Sequence, residues 1–364
     1  MNDCLKCLPK NFNFDDEIKK RLANVKTLQA SSGLFMASAP DVKTGYNKAW
    51  LRDNYFMTLG FQVCEEWEPA RDAGKALLKV LCKHQDKIKW AIENEPQEAW
   101  QYIHARYNPV TLEEYHEPWG NKQNDAVGEV LHLLAACECS PLGVLETDRE
   151  RDMVQLLVDY LQNIKYWEAP DSGIWEEKEE IHASSIGACV AGLQAAQELS
   201  YVTVPEDLIS KGQEALQALL PRESESKFSD LALLSLQYPF HALDQKVCHE
   251  MVSNIEYYNL RDRGVIRYRG DHYHNKNADE TSEEAEWTMG LPWLAIIYAE
   301  LGDLEKAEHY LVRTLAAQDK EGYLPELYYS HTDQPNKNSP LGWAESLFAV
   351  ALKKVKDLKK ANAH

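Results

Sequence analysis

Signals for membranes and for export are missing from this sequence of 364 residues. No window approaches about eighteen consecutive apolar residues, the length that a membrane-spanning helix requires. The N-terminal stretch MNDCLKCLPK lacks a basic segment followed by an apolar one, and no N-x-S/T sequon occurs in the chain. The eight cysteines are scattered, several of them inside helical patterns such as LHLLAACEC. These features predict a soluble, cytoplasmic protein with reduced thiols.

Metal-ligand spacing is also scarce. Only Cys4 and Cys7 have a C-x-x-C spacing, and no second pair lies at a matching distance to complete the four ligands of a structural zinc site. The stretch DHYHNKNADE contains Asp271, His272 and His274, but it lacks a third histidine or a helix-spaced carboxylate. We therefore predict a polar loop there, and we predict neither a metal nor another cofactor.

Acidic residues outnumber basic ones, 58 to 39, which gives a formal net charge of -19. This field repels phosphate backbones and anionic lipid surfaces, so nucleic acid and membranes are not expected partners. A neutral or cationic small substrate fits the charge better. The composition leaves the oligomeric state open.

Runs of β-branched residues with a period of two are nearly absent, whereas apolar residues recur at helical spacing in twelve segments. The predicted helices cover residues 15–30, 50–66, 70–85, 121–139, 149–166, 181–200, 206–219, 227–237, 242–254, 283–302, 304–318 and 340–358. Asp15, Thr147 and Pro205 occupy cap or first-turn positions that support several of these starts.

The arrangement of these helices follows from two further absences. No Pro/Ser-rich linker divides the chain, so residues 1–364 are predicted to form a single domain. No repeat of roughly 34 to 47 residues is visible, which argues against a helical solenoid. The remaining all-α solution for twelve helices is two concentric rings of six, the (α/α)6 barrel.

Five long connections separate the predicted helices, each after a helix pair or close to it, and such loops are common places for binding sites. They cover residues 31–49, 86–120, 167–180, 255–282 and 319–339. Five segments in or beside them combine aromatic residues with Asp, Glu, Arg or Asn: AWLRDNYF, PWGNKQNDAVG, GIWEEKEEIHASS, VIRYRGDHY and GYLPELYYS. Sugars need this combination, because a pyranose has apolar C–H faces and a rim of hydroxyl groups. Taken singly, each segment could also be a helix start with a core aromatic.

In this order, the five segments resemble glycoside hydrolase family 15, the glucoamylase-like enzymes, and the related amino-terminal part of the phosphorylase kinase regulatory subunits. The matching motifs are W-x-R-D, W-G-x-x-Q-x-D, W-E, R-Y and P-E-x-[FY]. The resemblance implies an (α/α)6 barrel. It also implies substrate-binding roles for Trp50, Arg52, Asp53, Trp119, Gln123, Asp125, Trp175, Glu177, Arg267 and Tyr268.

The same resemblance implies that Glu176 is the general acid and Glu326 the general base. Family members invert the anomeric carbon, so we expect the two carboxyl groups to lie roughly 6.5–9.5 Å apart with a water between them. An acid that keeps its proton near neutral pH needs a raised pKa. We expect Trp175 and Glu177 to supply the apolar surface and the negative charge that raise it.

Several other residues in these segments have simpler interpretations. Glu177, Glu179 and Glu180 form a charge run, which predicts a solvated approach to the next helix. His182 is interpreted as a polar neighbour of the site. Glu283, Glu284 and Glu286 are interpreted as first-turn helix residues. Trp287 and Trp293 are interpreted as core residues or as part of the wall of a sugar subsite, and Trp343 is expected to pack against the last helix.

The substrate expectation rests on what the chain lacks relative to the family, namely an amino-terminal β-sandwich and a starch-binding module. Short, soluble, neutral α-gluco-oligosaccharides are therefore the expected substrates, cleaved from the non-reducing end to release β-glucose, with isomaltose-type α-1,6 linkages as a special case. The alternatives are a trehalase, another (α/α)6 carbohydrate-active enzyme, and a non-catalytic sugar-sensing module.

Overall fold

A computed structural model describes residues 7–9, 11–138, 140–275 and 283–363. Of the two cysteines with C-x-x-C spacing, Cys4 lies outside these residues, and Cys7 is an exposed free thiol. None of the helices in the described ranges is long and apolar enough to cross a membrane.

The described residues form thirteen α-helices and very little sheet. The helices are α1 Phe14–Lys26, α2 Leu51–Val63, α3 Trp67–Lys83, α4 Gln85–Glu93, α5 Asn124–Glu138, α6 Asp148–Asn163, α7 Ala183–Gln197, α8 Glu206–Leu219, α9 Leu234–Gln237, α10 Gln245–Tyr258, α11 Gly290–Glu300, α12 Leu304–Ala316 and α13 Gly342–Asn362. Four strands, β1 Ala49–Trp50, β2 Arg106–Tyr107, β3 Glu286–Trp287 and β4 Leu327–Tyr328, pair antiparallel as β1 with β2 and β3 with β4. Short 3-10 helices occur at Ala99–Gln101 and Leu231–Leu233.

Six helices form a closed inner ring. Along this ring α2 packs on α5, α5 on α7, α7 on α9, α9 on α11, α11 on α13, and α13 returns to α2. Outside it lie α1, α3, α6, α8, α10 and α12, each in contact with inner helices. The predicted (α/α)6 barrel is confirmed.

Burial separates the two rings as the helical patterns require. Ten of the eleven residues of the inner helix α11 are buried, whereas only three of the fourteen residues of the outer helix α8 are. A helix that is apolar on all sides belongs in the interior, and an amphipathic one covers it. At the α5–α7 contact, a Cβ atom on Gly128 would lie 2.5 Å from the backbone nitrogen of Cys189, so only glycine permits this approach.

The structure corrects several predicted boundaries. The short helix α4 lies inside the connection predicted for 86–120. The predicted helix 227–237 is shorter in the structure. The Asp230 side chain accepts a hydrogen bond from the Ala232 N–H and starts a 3-10 turn, which is followed by the four-residue α9. The predicted helix 283–302 begins only at Gly290, since Glu286 and Trp287 form β3.

The three glutamates assigned to the first turn of that helix are therefore elsewhere. Glu283 pairs with His331, and Glu284 accepts a hydrogen bond from the Gly270 backbone. Glu286 is buried and accepts hydrogen bonds from two backbone N–H groups. The first-turn prediction is wrong, because a cross-strand pair replaces the expected turn of helix.

Candidate active site

A cavity of about 780 Å³ opens at the end of the barrel where the inner helices begin. Its lining includes Trp50 beside the start of α2, Met289 just before α11, and Trp343 in the first turn of α13. The predicted site residues on this lining are Trp50, Arg52, Asp53, Trp119, Trp175, Glu176, Glu177, Arg267 and Glu326. The other three, Gln123, Asp125 and Tyr268, are hydrogen-bonded to lining residues. All twelve are thus brought together, although the motifs are spread over nearly 280 positions of the sequence.

A tight turn carries Glu176. Its φ angle is +60°, a left-handed conformation that is uncommon for residues other than glycine and that often occurs at functional sites. The Glu176 N–H donates to the Gly173 carbonyl, and the Glu177 N–H donates to the Ser172 carbonyl. This turn holds the Glu176 side chain on the cavity lining.

The Glu176 carboxyl group has neutral donors on both oxygens and a cation nearby. Trp119 Nε1 donates to Oε2 at 3.1 Å, and Gln123 Nε2 donates to Oε1 at 3.0 Å. A guanidinium nitrogen of Arg52 lies 3.7 Å from Oε1. Burial raises the pKa of Glu176 above its ordinary value, although Arg52 and Gln123 oppose that increase.

Arg52 is held in place by side chains that lie outside the cavity lining. Its Nε donates to Asp125 Oδ2 at 2.7 Å, and its Nη2 donates to Gln123 Oε1 at 2.8 Å. The neighbouring Asp53 also lines the cavity, and burial raises its pKa to about 7 despite the opposing charge of Arg52.

Glu326 lies immediately before β4 and is fully buried. Tyr46 donates to its Oε1 at 2.6 Å, and Asn338 donates to its Oε2 at 2.8 Å. Asn336 is a further donor to Oε2. Since an ionised carboxylate only accepts hydrogen bonds, three converging donors suit the ionised form.

The structure corrects the interpretation of Glu177. Arg267 Nη2 lies 2.9 Å from its Oε1, Lys227 Nζ lies 2.8 Å from its Oε2, and Tyr268 donates to both oxygens. Burial alone would raise the pKa of Glu177, but these partners outweigh it and hold the pKa below its ordinary value. Glu177 is therefore paired on both carboxyl oxygens and is not a free negative charge that could raise the pKa of Glu176.

The rest of the charge run divides. Glu179 is exposed and lies 3.4 Å from Lys122, while Glu180 accepts from Ser226. The nearby His182 is buried behind Gly173 and shares a 3.2 Å hydrogen bond with Glu223. Its place is in the supporting layer of the site.

Arg267 is another buried arginine on the cavity lining. Asp271 accepts two hydrogen bonds from its guanidinium group, at 2.7 and 2.6 Å, and the cation lies over the rings of Trp175, Tyr273 and Trp287. Asp271, considered above as a possible metal ligand, is thus engaged in holding Arg267.

The remaining tryptophans have different places. Trp287 lines the cavity, and Trp293 is fully buried in the core. Trp343 does both, because it reaches the cavity and also stacks on Phe56 with ring centroids 4.4 Å apart.

Sequence reasoning missed the residues that hold Glu326. Tyr46, Asn336 and Asn338 come from connections with no motif of their own. It also missed Arg106, which lines the cavity with its guanidinium 3.5 Å from the ring centroid of Trp119. The available signal was weak: an isolated tyrosine and two asparagines in polar stretches.

Comparisons with known proteins agree with this geometry. The model of Glycosyl hydrolases family 15 matches residues 19–228, more than half of the chain. The probable phosphorylase b kinase regulatory subunit alpha of Drosophila melanogaster is 28% identical over 88% of this chain. The chain spans only about 30% of the length of that relative.

Solved structures show the same fold. A glycosidase variant in complex with glucose superposes with a TM-score of 0.79 at 21% identity, covering 94% of this chain and 97% of its own. The glucoamylase from Saccharomycopsis fibuligera superposes with a TM-score of 0.68 at 14% identity, covering 95% of each chain. At these identities the likeness establishes the (α/α)6 architecture and nothing finer.

Proposed function

Because this chain belongs to glycosyl hydrolases family 15, we propose that it is an exo-acting, inverting α-glucoside hydrolase. It releases β-glucose from the non-reducing end of short α-gluco-oligosaccharides, including isomaltose-type α-1,6-linked ones. The observation that carries this proposal is the contrast between two glutamates on one cavity: Glu176 has a raised pKa, and Glu326 is surrounded by donors.

The two groups take complementary steps. Glu176 donates its proton to the glycosidic oxygen as the bond to the anomeric carbon breaks. Glu326 accepts a proton from a water that attacks the opposite face of the sugar, which inverts the configuration. The roles predict carboxyl groups roughly 6.5–9.5 Å apart. Each turnover leaves Glu176 ionised and Glu326 protonated, so exchange with solvent restores both groups.

The other lining residues suit a terminal glucose. Arg52, Asp53 and Arg267 offer charged partners for hydroxyl groups, and the tryptophans offer apolar faces for the C–H surfaces of the ring. Buried apolar residues, among them Met289 and Leu341, form part of the lining where the inner helices begin. A lining that reaches the buried starts of the inner helices suits a pocket for a chain end, which supports exo-action.

We place this activity in the cytoplasm. The cysteines of the described ranges are free thiols, three of them buried inside the barrel, as expected for a reducing compartment. Both proton-transfer groups are carboxyls, so the proposed reaction runs without a metal.

The test is to incubate the protein with maltose, isomaltose, trehalose and short dextrins and to measure glucose release. Release from maltose or isomaltose supports the proposal, and cleavage of trehalose alone would make the chain a trehalase. The phosphorylase kinase relative supports a second candidate, a sugar-sensing module that binds glucose without hydrolysis. Glucose binding without any cleavage would favour that candidate.

A further inference from the structure

One buried carboxyl group near the site has no role in the proposed reaction. Glu129 on the inner helix α5 is only 1% exposed. Neither of its carboxyl oxygens has a hydrogen-bond partner among the described residues. A buried polar group normally has a partner, so this one requires an explanation.

A candidate partner is Asp125, one helical turn earlier on α5. Its Oδ2 accepts the hydrogen bond from Arg52 Nε, but its Oδ1 is buried and also lacks a partner among the described residues. Residues four apart lie on the same face of a helix, and long helical side chains lean toward the helix N-terminus. This geometry directs the Glu129 side chain toward the turn of α5 that carries Asp125.

The surroundings of Glu129 disfavour a second negative charge. Burial raises the pKa of Glu129 well above its ordinary value, Asp125 adds to that increase, and Arg52 opposes it. The ionisable groups that interact with it are Asp125 on its own helix, Arg52, Asp53 and Tyr55 on α2, and Cys189 on α7. A neutral carboxyl group is a donor, whereas an ionised one is not.

We propose that Glu129 is a positioning residue whose neutral carboxyl group donates a hydrogen bond to Asp125 Oδ1 and thereby holds Arg52 against Glu176. The chain of contacts runs from Glu129 through Asp125 to Arg52, whose guanidinium lies 3.7 Å from Glu176. Glu129 is not among the residues that line the cavity. The kinetic part of this inference rests on the proposed function, whereas the hydrogen bond itself does not.

Infrared difference spectroscopy on the full chain tests directly whether Glu129 is protonated, as the hydrogen bond requires. At mildly alkaline pH, the wild-type minus Glu129→Gln spectrum is expected to contain the carbonyl band of a protonated carboxyl group. A difference spectrum with only carboxylate bands would overturn the proposal. This measurement requires no substrate.

Thermal unfolding across pH gives an independent readout. A carboxyl with a raised folded-state pKa binds more protons when folded, so wild-type stability falls as pH rises from the unfolded value, about 4.3, to the folded one. Glutamine does not titrate. The Tm of Glu129→Gln relative to wild type should therefore increase with pH over this window, and a constant difference would contradict a neutral Glu129.

Two variants separate positioning from mere filling of space. Glu129→Leu fills the site without a donor and leaves Asp125 Oδ1 unpaired, so kcat/KM on the cleaved oligosaccharide should fall about tenfold or more. Glu129→Gln keeps a donor and should recover most of that loss, with the alkaline limb of the pH profile unchanged because Glu176 sets it. Equal losses in both variants would overturn the role.

The outcome stays decisive if a variant or the chemistry fails. If Glu129→Leu does not fold, the infrared spectrum and the pH dependence of the Tm of Glu129→Gln decide. If the chain cleaves no oligosaccharide, the proposed function fails, and the affinity for glucose measured by calorimetry replaces kcat/KM. The same order, wild type close to Gln and both above Leu, is expected there, and a Gln variant as weak as Leu would contradict it.

Discussion

The wall of the cavity that carries Glu176 and the wall that carries Glu326 use different polar groups. Glu176 is 16% exposed, accepts from Trp119 and Gln123, and has the Arg52 cation 3.7 Å away. Glu326 is fully buried, and its hydrogen-bond partners among the described residues are all neutral donors, a tyrosine and two asparagines. Each wall thus carries a glutamate, but the two glutamates have different surroundings.

This difference separates the roles of two chemically identical side chains. Burial favours the protonated form of Glu176, and the nearby Arg52 limits that effect. Three donors around Glu326 match the acceptor that must take a proton from water. In the proposed reaction these environments favour Glu176 as the acid and Glu326 as the base, and the following experiments change one wall at a time.

The largest expected effect comes from removing either carboxyl group. Glu176→Gln and Glu326→Gln should each lower kcat on maltose or isomaltose by about 100- to 10,000-fold, the usual contribution of a general acid or base. With α-glucosyl fluoride, whose leaving group needs no proton, Glu176→Gln should recover activity and Glu326→Gln should not. Initial rates of glucose and fluoride release measure the two effects.

Glu179→Gln is the matched control, because Glu179 belongs to the same charge run but is exposed. It should behave like wild type. Recovery of Glu326→Gln with the fluoride, or recovery of neither variant, would mean that the two walls do not divide the roles as argued.

A large effect on stability is expected where the Glu326 wall is tied to the barrel. Arg21 and Glu345 form an ion pair with both side chains fully buried, and Glu345 accepts a hydrogen bond from the Leu324 backbone, two residues before Glu326. Arg21→Met leaves the Glu345 charge unpaired and should lower the free energy of unfolding by about 3–5 kcal/mol. Denaturant unfolding measures the loss.

Lys353→Met supplies the control for that ion pair, since Lys353 and Asp357 pair on the surface of α13. Its cost should stay near or below about 0.5 kcal/mol. A similar cost for both variants would show that the buried pair has no special anchoring role.

A smaller effect is expected from trimming one donor. Tyr46→Phe removes the hydroxyl that lies 2.6 Å from Glu326 and should lower kcat about tenfold or more, because a bond to a charged group is lost. Tyr329→Phe, three residues after Glu326, is the control and should have little effect. An unchanged kcat in Tyr46→Phe would mean that the Tyr46 hydroxyl does not support Glu326 as the base.

The smallest expected effect is a shift in pH dependence. Trp119→Phe removes a donor that stabilises ionised Glu176, so the pKa of Glu176 should rise further. Because the acid then keeps its proton to higher pH, the alkaline limb of kcat/KM should move upward by less than about one pH unit. A downward shift in the pH–rate profile would contradict the sign.

The sequence was sufficient for the fold because burial imposes a readable pattern. Inner helices such as α11 are apolar on all sides, and outer ones such as α8 are amphipathic. The short α4 was missed because nine residues inside a long connection give little periodic signal. The strand β3 was missed because two residues cannot show a period.

The site was predictable only where residues are local to a motif. Glu176 and Glu326 stand in recognisable segments. One of the cations that pair with Glu177, however, is Lys227, which lies fifty residues away in the sequence. Asn336 and Asn338 reach Glu326 through an irregular loop that no propensity describes. Glu129 lies outside every predicted motif, and its burial and unpaired oxygens are visible only in the structure.

We propose hydrolysis by an acid and a base on opposite sides of a terminal α-glucoside. The anomer of glucose that is released first tests this proposal most directly. Proton NMR during cleavage of maltose and isomaltose resolves α- and β-glucose before mutarotation mixes them. We predict that β-glucose appears first. Initial release of α-glucose, or no release from either sugar, would contradict it.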